Sequence, residues 1–417
     1  MRINKLFAAF ALIFAAGTAS AQNGTLTPYS SLGYGILSDH ATSSQRAMGG
    51  VGYAMTSGRQ INMMNPASYA AIDTLTFLFD MGIQLKQMNQ KETVDGKLLK
   101  DNQFTGSLDY VTMQFPLGRY MGASIGLVPF SSVGYNFGSS IDNGADTRQG
   151  SGSLNELYLG IAGRPFRGFS VGANISYLFG TLLNETYATA SAGYNTVYQN
   201  QFEVRDYHLN FGVQYTLPVR GTDAVTFGVT YSPEKTLLGS ARIVYYDTQD
   251  GSSPEVTDEH RLRGNYSLPE TWGAGVSYRF DRRLTLEFDY TYQPWSKVKY
   301  LGFDSDNRVN QFADRSKYAF GLQYTPNIRG GYFKRIQYRV GLYYNNDYLK
   351  IQDNRLREIG VTCGFGFPVP SLKTIINLGF EWKKRRAHPA PMIEENYFNI
   401  TLGVNFNEMW FGQRKID

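Results

Sequence analysis

The sequence predicts an all-β protein, a transmembrane antiparallel β-barrel of about fourteen strands with an N-terminal plug. Three observations predict it: a short basic-then-apolar leader, long segments of alternating polarity rich in aromatics, and short turns interleaved with long polar connections.

The leader comes first. Arg2 and Lys5 precede an apolar run from Leu6 to Ala16, and Ala19-Ser20-Ala21 places small residues before Gln22. This is the pattern of a cleaved secretory signal, too short for a spanning helix. Residues 1–21 are therefore expected to be removed.

Composition supports a barrel. Hydrophobic residues make up 42% of the chain and aromatics 15%, with 30 Tyr, 27 Phe and 44 Gly. A wall that meets lipid outside and polar groups inside has this mixed average. The net charge of +5 is spread along the chain, so no nucleic acid partner is expected. Cys363 is the single cysteine, which excludes an internal disulfide. Its apolar neighbours make it a lipid-facing side chain.

Alternation identifies the strands, because successive side chains of a strand face opposite ways. Phe398, Ile400, Leu402, Val404 and Phe406 form one face of the last strand, against Tyr397, Asn399, Thr401, Gly403 and Asn405. Leu284, Leu286, Phe288 and Tyr290 oppose Thr285, Glu287 and Asp289. Tyr338, Val340 and Leu342 oppose Gln337, Arg339 and Gly341. Such segments run about ten residues or more, the length a tilted strand needs to cross a bilayer.

The connections set the count. Short turns fall near 116–120, 164–168, 218–223, 281–283, 326–334 and 368–373. Between them lie polar stretches near 89–103, 137–153, 184–201, 247–260, 301–315, 345–355 and 385–396, read as external loops. This alternation requires about fourteen strands, provided residues 224–247 form one strand despite Pro233. The domain reading is a plug at 22–73, a barrel at 74–406 and a periplasmic tail at 407–417. The first of these is rich in Gly, Ser, Ala and Met with weak periodicity. A plug is the economical reading of it, and a flexible periplasmic extension is the alternative.

Three stretches resemble one family. Ala47-Met48-Gly49-Gly50-Val51-Gly52-Tyr53-Ala54, followed by Asn65-Pro66-Ala67-Ser68-Tyr69-Ala70, looks like the hatch signature of the FadL-type outer-membrane transporters. Ser267 to Gly273, continuing to Asp289-Tyr290-Thr291-Tyr292-Gln293-Pro294-Trp295-Ser296, is similar to that family's central strand pair. Gly364-Phe365-Gly366-Phe367-Pro368 resembles a later turn, and the tail from Trp410 to Asp417 resembles the Bacteroidetes branch. The resemblance implies a fourteen-strand barrel whose hatch includes Asn65, Pro66 and Ala67. It implies passive uptake of long-chain fatty acids or other hydrophobic compounds, gated by the hatch. Release would run sideways through a wall gap at a kinked third strand. The matching strand reads Gly126-Leu127-Val128-Pro129-Phe130-Ser131-Ser132-Val133-Gly134. Proline lacks the donor that a ladder needs, so a break near Pro129, flanked by Gly126, Phe130 and Gly134, is expected; a bulge beyond the membrane boundary with no transport role is the plainer reading. Relatives in the same branch also include barrel subunits of secretion and assembly machinery, which is the alternative function.

One feature departs from the family. The predicted lumen carries Arg279, Glu287, Asp289, Arg339, Glu381 and Lys383, charges that fit poorly with a greasy conduit. They are expected to pair with one another and with the plug. Lys383, Lys384, Arg385 and Arg386, followed by His388, end the penultimate strand at the predicted outer rim. Clustered cations there suit lipopolysaccharide phosphates; a solvated loop edge is the plainer reading.

Catalytic patterns find little support. Gly168-Phe169-Ser170-Val171-Gly172 matches G-x-S-x-G, but lies in an alternating segment and not at a strand-to-helix elbow. His40, His208, His260 and His388 have no metal-ligand spacing. No cofactor, metal or enzymatic activity is expected. The expected partners are membrane lipid, lipopolysaccharide, a hydrophobic small molecule and other outer-membrane or periplasmic proteins.

Overall fold

Antiparallel pairing closes the chain into a cylinder in the computed structural model. It describes residues 27–94, 97–141, 144–190, 195–247, 255–301, 312–351, 353–369, 374–390 and 392–409. A two-residue strand, β1 (Ile36–Leu37), belongs to the N-terminal segment. The wall then runs β2 (Thr76–Val94), β3 (Lys97–Pro116), β4 (Met121–Ile141), β5 (Gly144–Phe166), β6 (Phe169–Ala190) and β7 (Asn195–Pro218). Next come β8 (Ala224–Ser232), β9 (Lys235–Thr236), β10 (Gly239–Asp247), β11 (Glu255–Arg261), β12 (Ser267–Leu268) and β13 (Thr271–Phe280). It ends with β14 (Leu284–Gln293), β15 (Arg315–Tyr324), β16 (Gln337–Ile351), β17 (Asn354–Pro368), β18 (Ile375–His388) and β19 (Glu394–Met409). The last strand pairs with the first wall strand from Glu394↔Lys91 to Met409↔Thr76, which closes the barrel. Closure is required, since lipid leaves an open edge unsatisfied at several kcal/mol per group. No described helix is long and apolar enough to cross a membrane.

The count is fourteen wall strands. Pro233 does split the seventh, yet β8 and β10 both pair with β7, along Phe211–Pro218 and Thr196–Val204 respectively. The eighth is split beside it into β11 and β13, which pair with β10 and β8. The two interruptions meet as the small ribbon β9–β12. Parity is kept because neighbouring strands break at the same height.

The six short turns join strands where expected. The long connections differ from expectation. Much of 89–103, 137–153, 184–201 and 385–396 is not loop but paired strand, so β5, β6 and β7 reach 23, 22 and 24 residues. Polar hairpins keep their ladder outside the bilayer, where water replaces lipid and the outward face need not be apolar. Strand β19 also runs to Met409, past the expected boundary, and residues 410–417 and 1–26 lie outside the described residues.

Alternation is reproduced along the spans. Leu342, Val361, Trp382, Phe398 and Leu402 are exposed to the outside, while Arg339, Asp289, Asn377, Asn399 and Thr401 are buried within. Cys363 is on the outer face. The inner face does not meet open water: the chain's own N-terminal segment occupies it.

Candidate functional site

Residues 27–75 have almost no pairing of their own, so their backbone groups need other partners. The wall supplies them from nearly every side. The N–H groups of Gly52 and Tyr53 donate to Asp289 at 2.6 and 2.9 Å, and that of Ala54 donates to Glu287 at 3.0 Å. The Gly49 N–H donates to Thr362 at 2.8 Å and the Ser43 N–H to Tyr110 at 2.9 Å. Gln214 donates to the carbonyls of Tyr53 and Met55, and Arg164 to that of Ala70. A segment that touches strands all round a closed cylinder lies inside it.

Asn65, Pro66 and Ala67 form the start of a buried 3-10 turn, Pro66–Ala71. The Asn65 side chain accepts from the Ala67 N–H at 3.0 Å, an N-cap, with Pro66 in the position that lacks a required donor. Its amide donates to the Tyr53 carbonyl at 2.7 Å and so ties two plug loops together. Wall glycines make room for these loops. A Cβ at Gly228 would stand 1.9 Å from the Tyr53 carbonyl oxygen, one at Gly212 2.1 Å from Asn65 Oδ1, and one at Gly341 2.2 Å from the Gly49 nitrogen.

Charges fix the plug further. Arg46 pairs with Asp109 at 2.6 Å. Asp39 receives Lys317 at 2.5 Å and Arg315 at 3.2 Å. Burial raises the Asp39 carboxyl, but these two cations outweigh it and hold it well below the ordinary carboxylate range. Glu381 accepts from Tyr343 and Asn399 at 2.5 and 2.6 Å. Arg339 is buried and bonds Gln323 and Asn377, both at 2.8 Å. Arg279 differs from expectation. It has the inward parity but stands exposed at the short-turn end, because β13 there has passed the plug.

Towards the long-hairpin end, residues of this segment and of the wall pack across the lumen in an apolar cluster. Tyr34, Trp295, Tyr266, Tyr348, Leu237 and Leu262 are all at most 1% exposed and pack together. The Tyr34 ring lies 5.8, 5.7 and 5.2 Å from those of Phe202, Trp295 and Tyr300, and the Trp295 ring lies tilted 4.3 Å from that of Tyr348. Leu237 and Leu262 enter this cluster from the split strands, which explains the interruption of the wall. Between seal and plug remains a cavity of about 130 Å³, lined by Met63, Phe130 and Trp295 as well as by Asp39, Glu156 and His208. Pockets for drug-sized ligands are roughly 300–1,000 Å³ and mostly apolar.

The wall itself has a gap. Pairing between β3 and β4 runs only from Pro116↔Gly122 to Val111↔Leu127. Gly126 occupies the penultimate rung, where a Cβ would stand 2.7 Å from the Val111 carbonyl oxygen. A bulge between Pro129 and Ser131 then shifts the β4–β5 register and reverses which residues face inward. Beyond it the β4 edge is taken by the plug. β1 pairs Ile36↔Ser132 and Leu37↔Ser131, and the Ser38 N–H donates to the Phe130 carbonyl at 2.9 Å. Gly134 accepts from the Thr27 N–H at 2.7 Å, and its own N–H donates to Ser30 at 3.0 Å. The cavity behind the gap is lined by Arg46, Lys86, Asp109, Pro129, Glu381 and Lys383 among others.

The four cations at the end of β18 are not brought together. The strand continues to His388, so period two sends Lys383 and Arg385 inward and Lys384 and Arg386 outward. Arg385 is buried against Glu358 at 2.8 Å and Glu395 at 3.4 Å, and Lys383 reaches Glu358 at 3.6 Å. Lys384 pairs with Glu394 at 2.8 Å. Neither inward residue can meet lipopolysaccharide.

Ser170 stands near the start of β6, which continues as strand to Ala190, with no helix after it. His208 contacts Glu156 at 2.9 Å. Among the described residues no group of three His, Cys, Asp or Glu side chains stands close enough to hold a metal ion. Sequence reasoning missed Asp39, Arg46, Asp109, Arg315 and Lys317, whose partners are far apart in the chain. It also passed over the inward glycines, although their parity on alternating strands is visible in the sequence.

A family model described as BamG matches residues 2–417. Among solved structures, a Pseudomonas aeruginosa FadL homologue aligns with a TM-score of 0.60 at 11% identity, over 89% of this chain and 99% of that one. The Pseudomonas putida toluene transporter TodX gives 0.61 at 13% identity, over 90% and 100%. The Ralstonia pickettii toluene transporter TbuX gives 0.57 at 15% identity, over 88% and 98%. These likenesses establish a shared barrel fold. A comparison with curated proteins finds no match.

Proposed function

The chain belongs to the BamG family, and from its sealed lumen we propose that it serves as a non-transporting barrel subunit, a scaffold within an outer-membrane secretion or assembly complex. The observation that carries this reading is the buried cluster around Tyr34, Trp295 and Tyr348, which closes the outer end of the lumen above a plug fixed to the wall. A passage from outside would have to unpack that cluster, and Phe or Trp truncations in cores cost about 3–5 kcal/mol each. On this reading residues 27–73 are a permanent plug, and the barrel from Thr76 to Met409 forms the platform.

A second reading is supported by the wall gap. The β3–β4 break beside Pro129 lies where a lateral exit is needed, and the fold is shared with channels named for toluene and other monoaromatic compounds. Under it the plug is a mobile hatch that admits long-chain fatty acids or similar apolar molecules and releases them into the bilayer. The charged lining behind the gap counts against an apolar route.

Two measurements decide between them. The intact protein is purified from its own membrane in mild detergent and its partners are quantified by mass spectrometry. A deletion strain, with and without the gene, is tested for uptake of labelled palmitate and toluene. Stoichiometric partners with unchanged uptake support the scaffold. Gene-dependent uptake by a protein that purifies alone overturns it in favour of transport.

A further inference from the structure

We infer that Arg357 and Arg386 form a binding site on the outer wall for the phosphate of an anionic glycolipid in the outer leaflet. The two face outward on neighbouring strands, in the alternation that buries Glu358 and Arg385. The register places them directly opposite each other. Directly opposed side chains have Cβ atoms about 4.5–5.5 Å apart, and like charges there destabilise a sheet. The arrangement calls for an anion between them.

Nearby cations already have one. Lys384 is held by Glu394 at 2.8 Å and Lys350 by Asp353 at 2.7 Å. Among the described residues, neither Arg357 nor Arg386 has an acidic partner, and Nε of Arg357 is shielded from water without an acceptor. Two guanidinium forks are thus free to take the oxygens of one phosphate.

Height selects the ligand. The next outward rungs down the same strand pair are Ile359↔Lys384, Val361↔Trp382 and Cys363↔Phe380. Trp382, Val361 and Ile359 are about half exposed and form the upper edge of the lipid-facing band, with Phe398 beside Trp382. Aromatic residues mark the interfaces of such barrels. One same-face step along a strand is roughly 7 Å. The arginine rung therefore stands at the headgroup layer, with the Lys384–Glu394 pair beside Ile359 one rung down and Val361 and Trp382 two rungs down. A phosphorylated glycolipid offers both parts at that spacing, whereas a free phosphate uses only the cations. This site is independent of whether the barrel transports or scaffolds.

The test uses the full-length folded protein in detergent micelles, with native mass spectrometry and a titration of three probes: phosphorylated lipid A, enzymatically dephosphorylated lipid A and inorganic phosphate. The wild type is expected to retain phosphorylated lipid A and to lose it as salt rises. Arg357→Gln with Arg386→Gln is expected to weaken that binding at least tenfold, and Arg357→Lys with Arg386→Lys by less. A heat-modifiable band on gels shows that each variant is folded. Equal binding by the folded Gln variant overturns the site. So does equal binding of dephosphorylated lipid A, and full competition by millimolar inorganic phosphate overturns the lipid source.

Discussion

Replacing Asp289 by Ala should loosen one loop of the plug while leaving the wall intact. The Asp289 carboxylate accepts the N–H groups of Gly52 and Tyr53 at 2.6 and 2.9 Å. Leaving a buried N–H donor without its acceptor costs about 1–3 kcal/mol, so the loss of both bonds costs roughly 2–6 kcal/mol. Glu287 lies two residues away on the same inward face, and relief of its repulsion works in the opposite direction. A loss in the lower half of that range, about 3 kcal/mol, is therefore expected, which is about two decades in a local opening equilibrium. Hydrogen exchange followed by mass spectrometry reads this directly. Peptides covering residues 49–56 should exchange about a hundredfold faster in the variant. Peptides from β16 to β19 should not change. Asp289→Asn keeps an oxygen acceptor and should give a smaller effect. Exchange of residues 49–56 within threefold of the wild type, in a barrel that is still heat-modifiable, would refute the view that this carboxylate pins the plug.

Three further outcomes follow from the same geometry. Gly228→Val sets a side chain where the Tyr53 carbonyl already stands, 1.9 Å from even a Cβ, and should lower stability by about 1–3 kcal/mol, seen as a lower midpoint for loss of heat-modifiability. Trp295→Ala should remove about 3–5 kcal/mol from the outer seal and expose residues 28–34 to added protease; an unchanged cleavage pattern and midpoint would count against the seal. Asp39 has a folded-state carboxyl held below the ordinary range, so its contribution is complete above the unfolded value of about 3.9 and fades only as pH falls below it. Hydrogen exchange of residues 36–46 should accordingly stay constant from pH 8 to pH 5 after correction for intrinsic rates, and a rise within that window would sink the assignment.

The wall was legible because two solvents write two faces. Phe398 to Phe406 and Leu284 to Tyr290 announced their strands, and Pro233 did not disturb the count because both halves keep β7 as neighbour. The extent of the hairpins was not legible. Outside the bilayer nothing forces apolar alternation, so paired residues such as Asn184–Glu185 read as loop. The cations of β18 show the converse error. A run of adjacent charges looks like a patch, but a strand deals them alternately to two environments. The break at Pro129 was visible from the missing donor, whereas its occupation by Ile36 and Leu37 was not, since nothing local to either segment names the other. The seal around Trp295 was hidden for the same reason: its members come from distant parts of the chain.

The unequal strand lengths have a consequence for the cell surface. Strand β7, at 24 residues, spans roughly 80 Å along its axis, or about 60 Å in height at a tilt near 40°. Strand β14, at 10 residues, rises only about 25 Å, close to the thickness of the hydrocarbon layer. The paired wall is therefore uneven, tallest over β5, β6 and β7 and shortest at β14, where the chain leaves the ladder for the turn at Trp295–Lys297. Any large molecule approaching from outside meets a tall flank of paired hairpins on one side only, which gives the barrel wall a front and a back within the plane of the membrane.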